Sequence, residues 1–408
     1  MTLSFLALAG LALAFAVTVY ATPPLARLAL HRGWTDRPDG GRKAHRAPTP
    51  SIGGVAIFAG AAIGMALVAW ATPRLGLPGT TLGPVVFMGA IVMALTGAID
   101  DARGLGFKTK LAIEAVVAVA LVASGYAFDL TGLTLFEGRE ALAEGIAVPL
   151  TLLWAMGVMN AVNLIDGVDG LAGGVAAIAF ASLALAFGIV GNLALAVVAA
   201  VFVGALGGFL VHNFNPASIF MGDSGSLFLG YALAVYTLAA PASADPAFAL
   251  LIPGIALGLP ILDTALSMIR RGAGRQSICA PDRDHIHHRM VDRMPTRRAV
   301  LVLYGVAAMF GVLAVMVSLS AWTGGTLALG AAAIVAAILL LRLGYVRLPY
   351  APPSLQPMPA VRVAVPTLSS DVSASAAAAV PTSSGDGLVS PRTPDRREPT
   401  LGYRVGTA

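Results

Sequence analysis

The chain has 408 residues, of which 57% are hydrophobic and 12% charged, whereas a soluble protein carries about 25% charged residues. Its apolar residues come in blocks near the roughly 20-residue length that crosses about 30 Å of hydrocarbon, which argues against a soluble all-α protein. The formal net charge of +5 would admit a nucleic-acid partner, but the bases cluster beside apolar runs as in the cytoplasmic loops of membrane proteins, so no nucleic acid is expected.

The first apolar block, near residues 3–21, has no Lys or Arg before it. It is too long for the core of a secretory signal, and it reads as a retained membrane helix. Further blocks lie near 52–72, 82–99, 110–126, 146–163, 171–190, 193–212, 226–241, 247–268, 299–319 and 325–343. The expected fold is an all-α integral membrane protein of about eleven transmembrane helices, with the N-terminus outside and the C-terminus cytoplasmic. Lys and Arg number 19 in the segments up to Arg347 that this places inside, with five more in the tail beyond, and 2, Arg74 and Arg139, in those outside. That asymmetry supports the orientation. Many blocks are rich in Ala and Gly, which allows close helix packing in lipid.

The external segment near 127–145 holds Asp129, Glu137, Glu140 and Glu144 and reads as a solvated connector. Residues 1–345 are expected to form the polytopic membrane domain. Residues 346–408 become rich in Pro, Ser, Ala and Thr without periodicity, and read as a disordered cytoplasmic tail.

Polar residues gather at the ends of the apolar blocks. Acids so close to a bilayer are costly, and they mark functional sites. Arg42-Lys43-Ala44-His45-Arg46 precedes Pro50 and Gly53-Gly54. These bases either meet lipid headgroups in general or, in Lys43 and His45, grip one lipid phosphate at the edge of a site. Asp100-Asp101 ends the third block. Adjacent carboxylates repel, so their pairing is favoured by a cation between them or by protonation of one. An isolated pair could equally be a helix end running into water.

Asn160, Asn163, Asp166 and Asp169 recur in three-residue steps that would line one helical face, with Gly167 and Gly170 opening the last turn. Their oxygens suit Mg²⁺ or nucleotide hydroxyls; a solvated turn with Asn and Asp caps is the alternative. Asn213, Asn215, Phe220, Gly222, Asp223, Ser224, Gly225 and Ser226 join the seventh and eighth blocks. Asp223 offers a metal ligand, Ser224 or Ser226 a helix cap, and Phe220 either stacks on a base or fills the interface core. Gly-Asp-Ser-Gly is also a protease-like string, but it sits here among membrane helices.

Asp263 follows Pro260, which would bend its block toward the site, and it could pair with Arg270 or Arg271. His285-Ile286-His287-His288-Arg289 lies in the most basic loop. Such histidines could hold zinc. With Arg270, Arg271, Arg275, Arg283 and Arg293 nearby, they suit a diphosphate better. The single Cys279 excludes an intramolecular disulfide and a Cys-based zinc site.

Carried by these five motifs in order, the chain resembles the polyprenyl-phosphate N-acetylhexosamine-1-phosphate transferases, integral membrane enzymes that start bacterial glycan polymers. The resemblance covers roughly residues 1–345. The His-Ile-His-His-Arg form is similar to the branch that uses UDP-GlcNAc for teichoic acid linkage, enterobacterial common antigen or O-antigen. The phospho-MurNAc-pentapeptide branch usually has three consecutive histidines in another setting.

The resemblance implies Mg²⁺-dependent transfer of GlcNAc-1-phosphate from UDP-GlcNAc to undecaprenyl phosphate, releasing UMP, with Mn²⁺ as a substitute metal. It implies Asp100 and Asp101 as catalytic residues, with one of them orienting or deprotonating the prenyl phosphate. Asp223, Asp100 and Asp166 would be metal ligands. Asn163, Asp166, Asp169, Asn213, Phe220, His285, His287, His288 and Arg289 would bind nucleotide or diphosphate, and Lys43 and His45 the lipid phosphate. The expected partners are undecaprenyl phosphate, a UDP-N-acetylhexosamine and membrane lipid, with a homodimer left open. The expected place is the bacterial inner membrane, with the active site on its cytoplasmic face. The competing readings are a phospho-MurNAc-pentapeptide transferase and, from another class, an ion-coupled transporter, which would place its acids near the bilayer midplane.

Overall fold

The computed structural model describes residues 2–36, 48–75, 82–239, 246–274, 285–319 and 322–342. Lys43, His45, residues 275–284 and the expected tail at 346–408 lie outside them. In chain order the elements are α1 (Thr2–Arg32), β1 (Thr35–Asp36), β2 (Thr49–Pro50), α2 (Gly53–Arg74), α3 (Pro84–Arg103) and α4 (Phe107–Ala123). After a single 3₁₀ turn (Thr134–Phe136) come α5 (Glu140–Ile165), α6 (Leu171–Ile189), α7 (Leu193–Asn213), α8 (Gly222–Leu238), α9 (Pro246–Ala256), α10 (Gly258–Ala273), α11 (Ile286–Val291), α12 (Thr296–Leu319) and α13 (Trp322–Arg342). The two short strands pair antiparallel, Thr35 opposite Pro50.

Every apolar block contains a helix. Among the described residues seven helices, α1, α2, α3, α5, α6, α7 and α12, are long and apolar enough to cross a membrane. Large apolar side chains such as Phe5, Val116, Leu153 and Val312 point outward, as a hydrocarbon surround permits. The ninth block divides into α9 and α10 at Leu257, which takes a non-helical conformation. The break thus precedes Pro260, which lies in the first turn of α10, where a missing N–H breaks no intrahelical bond.

α1 runs past the expected end near residue 21, through Pro23 and Pro24, to Arg32. Its 31 residues span about 46 Å, more than the bilayer core. Pro23 removes the amide that would pair with the carbonyl four residues earlier. That carbonyl, on Val19, lies 3.1 Å from His212 Nε2 on α7, so a neighbouring helix supplies the missing donor.

Small residues set the helix spacing. A Cβ on Gly60 of α2 would lie 2.0 Å from Thr18 Oγ1 and 2.8 Å from the Ala14 carbonyl on α1, and one on Gly204 of α7 would lie 2.1 Å from the Leu11 carbonyl. One turn further on, a Cβ on Gly208 would lie 2.5 Å from the Phe15 carbonyl of α1, and one on Gly64 would lie 2.7 Å from Val201 of α7 and 3.2 Å from the Gly10 carbonyl of α1. Two small-xxx-small stripes therefore clasp α1 from two sides. At the middle of the bundle Phe180 stacks on Phe202 with ring centroids 4.5 Å apart, and Tyr231 is fully buried.

The 127–145 segment is more than a solvated connector. Phe128, Leu130 and Phe136 are buried in a small apolar cluster with Ala143, Ala147 and Leu238, and Thr151 Oγ1 accepts the Phe128 amide at 3.0 Å.

Replacing Gly60 with Leu would force α1 and α2 apart. Overpacking of this kind costs about 1–3 kcal/mol, so the midpoint of thermal unfolding in detergent should fall. An unchanged midpoint would mean that α1 is not pressed against α2 there.

Candidate active site

The C-terminal end of α3 meets the N-terminal end of α8. Gly97 lets them touch, since a Cβ there would lie 2.1 Å from the Asp223 carbonyl and 2.3 Å from the Ser224 nitrogen. One turn later Asp101 accepts the Asp223 amide at 2.8 Å on one carboxylate oxygen and the Ser224 amide at 3.0 Å on the other. Asp101 therefore caps the first turn of α8, where amides lack intrahelical partners and the helix dipole favours negative charge. The sequence suggested that Ser224 or Ser226 would cap this helix. Instead α8 begins at Gly222, includes both serines, and takes its cap from another helix.

Gly222 has φ +71°, and a Cβ there would lie 2.5 Å from both Asp101 Oδ2 and the Ser51 carbonyl. Only glycine fits so close an approach in the left-handed region. The segment entering α8 is also pinned by α2: the amides of Gly53 and Gly54 donate to the carbonyls of Phe220 and Met221 at 2.9 and 2.8 Å, and the Phe220 amide donates to Pro50 at 2.8 Å. Two sequence motifs 170 residues apart are thus joined backbone to backbone.

Asp223, held in the first turn of α8, faces a cation that the sequence reading had used only to count loop charge. Lys110 Nζ on α4 lies 2.8 Å from Asp223 Oδ2 and 2.9 Å from Asp100 Oδ2. Asp100 also accepts the Leu105 amide. Asn163 Nδ2 donates to Asp223 Oδ1 at 3.1 Å and to Ser226 Oγ at 2.8 Å. Four helices, α3, α4, α5 and α8, supply this cluster. Glu114, one turn after Lys110, is buried and accepts from Asn160.

The expected polar face on α5 is real for Asn160 and Asn163. The helix then ends at Ile165, and Asp166 and Asp169 lie in the turn to α6. Asp169 Oδ2 accepts from Asn215 Nδ2 at 2.9 Å and from the Ala217 amide at 3.0 Å. The buried Asn213 accepts the Gly170 amide at 3.0 Å and donates to the Ile219 carbonyl at 2.8 Å. Both residues are committed to joining the two polar segments, so their side chains shape the site from within. Asp166 is different: burial, then the charges of Asp223, Asp101 and Asp169, push its carboxyl up to about 8. Among the described residues negative charge exceeds positive at this end of the site, and the side chains offered are oxygen donors. That combination fits a hard divalent cation.

Opposite this turn stands the histidine loop. A Cβ on Gly167 would lie 2.9 Å from His287 Nε2 and 3.7 Å from His288 Cε1. The Asp263 carboxylate reaches across to the histidine segment: its Oδ1 accepts the Ile286 amide at 2.6 Å. Its Oδ2 lies 3.2 and 3.1 Å from the Nδ1 atoms of His285 and His287. Ligand atoms of Asp263, His285 and His287 all lie within 4.8 Å, a set that could also hold a metal. Burial, reinforced by the charges of His287 and His285, lowers His288 to about 4. His288 is therefore neutral near pH 7 and can offer a hydrogen bond but no fixed charge. Lys43 and His45 lie outside the described residues.

Comparison with known proteins places these features. The Glycosyl transferase family 4 pattern matches residues 84–240. The probable undecaprenyl-phosphate N-acetylglucosaminyl 1-phosphate transferase of Bacillus subtilis is 36% identical over 296 residues, covering 72% of this chain and 80% of that protein. The chain belongs to the polyprenyl-phosphate N-acetylhexosamine-1-phosphate transferase family. The decaprenyl-phosphate N-acetylglucosaminephosphotransferase of Mycobacterium tuberculosis is also 36% identical, over 73% of this chain and 79% of that one. The undecaprenyl-phosphate alpha-N-acetylglucosaminyl 1-phosphate transferase of Escherichia coli is 28% identical over 68% and 74%. The transferase pattern spans α3 to α8, and so includes the whole carboxylate cluster with Lys110. It ends before Asp263 and the histidine loop.

Asp101 and Lys110 should separate by experiment. Asp101→Ala removes a helix cap, worth about 0.5–2 kcal/mol, and should lower the melting point. Lys110→Met leaves the cap intact, so it should melt near wild type while transferase activity falls at least about a hundredfold, as for loss of one preorganised electrostatic group. Equal melting points for Asp101→Ala and wild type would remove the capping role.

Proposed function

We propose that this transferase moves GlcNAc-1-phosphate from UDP-GlcNAc to undecaprenyl phosphate, releasing UMP and starting a lipid-linked envelope glycan. The observation that carries the reading is the opposition, across Gly167, of an oxygen-rich acidic cluster and a histidine-arginine loop. Two anionic substrates can be brought together only where their charge is offset.

A terminal oxygen of the prenyl phosphate attacks the sugar-bearing phosphorus of the donor. The bond from that phosphorus to the bridging oxygen breaks, and UMP departs with that oxygen. Asp100 orients the acceptor phosphate, while Asp101 holds the end of α8 and so the position of Asp223. Lys110 offsets the charge of Asp100 and Asp223 and is the nearest described cation for an incoming phosphate. Asn163 keeps Asp223 in place. Asp223, Asp166 and Asp100 would hold Mg²⁺, or Mn²⁺ in its place, and such an ion supplies charge neutralisation on the donor diphosphate. His285, His287, His288 and Arg289 contact the diphosphate, Phe220 stacks on the uracil, and Lys43 and His45 contact the lipid phosphate.

Eleven membrane helices, the ninth made of α9 and α10, would bring this site to the cytoplasmic face of a bacterial inner membrane. The basic asymmetry of the loops supports that orientation. A homodimer is compatible with the reading but plays no part in it. The three relatives described above are named as N-acetylglucosamine 1-phosphate transferases, which favours UDP-GlcNAc over UDP-MurNAc-pentapeptide.

Incubation with Mg²⁺, undecaprenyl phosphate and UDP-GlcNAc, followed by mass spectrometry, should give undecaprenyl diphosphoryl-GlcNAc and UMP. Product only with UDP-MurNAc-pentapeptide would move the chain to the other branch. Full UMP release by folded Asp100→Asn, Asp101→Asn and Asp223→Asn variants would sink the enzyme reading of these acids. The single Cys279 reports topology: a membrane-impermeant maleimide should label it only after the cells are opened. Labelling of intact spheroplasts would reverse the orientation.

A further inference from the structure

A buried carboxylate outside the acidic cluster has an unusual number of partners. Asp263 is 2% exposed and stands on α10, while its contacts are all on the segment that begins α11. Its Oδ1 takes the Ile286 amide at 2.6 Å, and its Oδ2 takes the Nδ1 atoms of His285 and His287 at 3.2 and 3.1 Å. A carboxylate oxygen only accepts, so both facing ring nitrogens carry hydrogen. The two imidazoles are nearly parallel, 19° apart with centroids at 5.4 Å, as if hung from one hook. His287 is 1% exposed, and its other nitrogen, Nε2, has no partner. That atom faces Gly167, in the turn that carries Asp166 and Asp169.

We infer that Asp263 is a positioning residue for the donor nucleotide: it holds the Nδ1–H of His285 and His287 and sets the tilt of both rings, so that His287, as an imidazolium that the carboxylate steadies, presents its Nε2–H to the phosphate side of the turn at Gly167. The inference rests on the proposed function and adds a residue to it. Three geometric facts carry it. One carboxylate holds three donors from a single short segment. The Nδ1 contacts leave only Nε2 of His287 to meet a ligand. Gly167 leaves space beside that nitrogen where any side chain would intrude. Carboxylates that hold the far nitrogen of a working histidine act in this way elsewhere, orienting the ring without touching the substrate.

The role predicts a separation between the two substrates. Asp263→Asn keeps the shape but loses the charge and offers an amide that can accept from fewer donors. With the full-length enzyme in lipid nanodiscs, KM for UDP-GlcNAc should rise by about tenfold to a hundredfold, the usual effect of removing a histidine's outer partner. KM for undecaprenyl phosphate and the melting point should stay near wild type. Asp263→Glu should recover part of the loss. His287→Gln, which keeps a nitrogen donor near the Nε2 position but cannot be oriented by Asp263, should show the same donor-selective rise. Combining it with Asp263→Asn should add little.

Calorimetry with UDP-GlcNAc alone, without acceptor, separates this inference from the one beneath it. If wild type neither binds nor turns over any UDP-sugar, both fall. If wild type binds and Asp263→Asn binds equally tightly, only the role of Asp263 falls. An equal rise in both KM values together with a lowered melting point would mean that Asp263 is a packing element. Stoichiometric zinc in the purified wild type, lost in Asp263→Asn, would make the cluster a metal site and overturn the positioning role.

Discussion

The carboxylate of Asp101, set beneath the first two side-chain-bearing amides of α8, is the contact on which the rest of the site depends. Through it a helix entering the site from one direction satisfies the open end of a helix leaving it in another. Once it forms, Asp100 is fixed one residue away on α3 and Asp223 is fixed inside the capped turn. Their shared cation, Lys110, then has one place to stand. The adjacency of Asp100 and Asp101, which in isolation looks like a repulsive pair, resolves into two different tasks on neighbouring faces of the helix.

That contact requires backbone to approach backbone, which explains the glycines. Gly97 lets α3 reach α8, Gly54 lets α2 cross at Gly225, and Gly222 turns the chain where Asp101 leaves no room for a side chain. The same economy governs the membrane part, where Gly60 and Gly204 admit the backbone of α1. In lipid, apolar contact alone gives little preference for one helix neighbour over another, so close approach and hydrogen bonding between helices select the arrangement. His212 pairing with the carbonyl orphaned by Pro23 is such a selection, since it fixes α7 against α1 at one height.

How much of this was legible in the sequence depended on whether a signal was local. Apolar length marked every helical block, because a hydrocarbon core imposes a length that any window detects. Helix ends were less legible: α1 continues through two prolines because a partner on α7 repairs the break, and no local pattern encodes that. Asn160 and Asn163 were readable from spacing, but Asp166 and Asp169 were not helical, since Gly170 needs a left-handed turn at φ +78° to start α6. Lys110 and Glu114 were missed for an instructive reason. Lys110 resembles any other base at the edge of an apolar run, and Glu114 lies inside one with no motif around it. Yet the rule that drew attention to the aspartates, that a charge within an apolar run is costly, applied to both of them. The partners of Asp263 were illegible for the opposite reason, being more than twenty residues away and reachable only through the fold.

The two halves of the site are built on the same electrostatic logic with signs exchanged. Among the described residues the acidic half has one cation at its centre, Lys110, and the histidine-rich half has one buried anion, Asp263. In each the minority charge sets the geometry of the majority, because like charges alone would spread apart and leave the bound positions undefined. The balance is incomplete on the acidic side, where Asp166 is driven toward its protonated form. It is also held back on the basic side, where His288 stays neutral. A site that neutralised itself fully in the empty state would have to break those pairs before gripping a substrate. By leaving the acids short of positive charge among the described residues, and His287 Nε2 without a partner, the fold keeps its unsatisfied interactions where the proposed diphosphate and its cation would satisfy them.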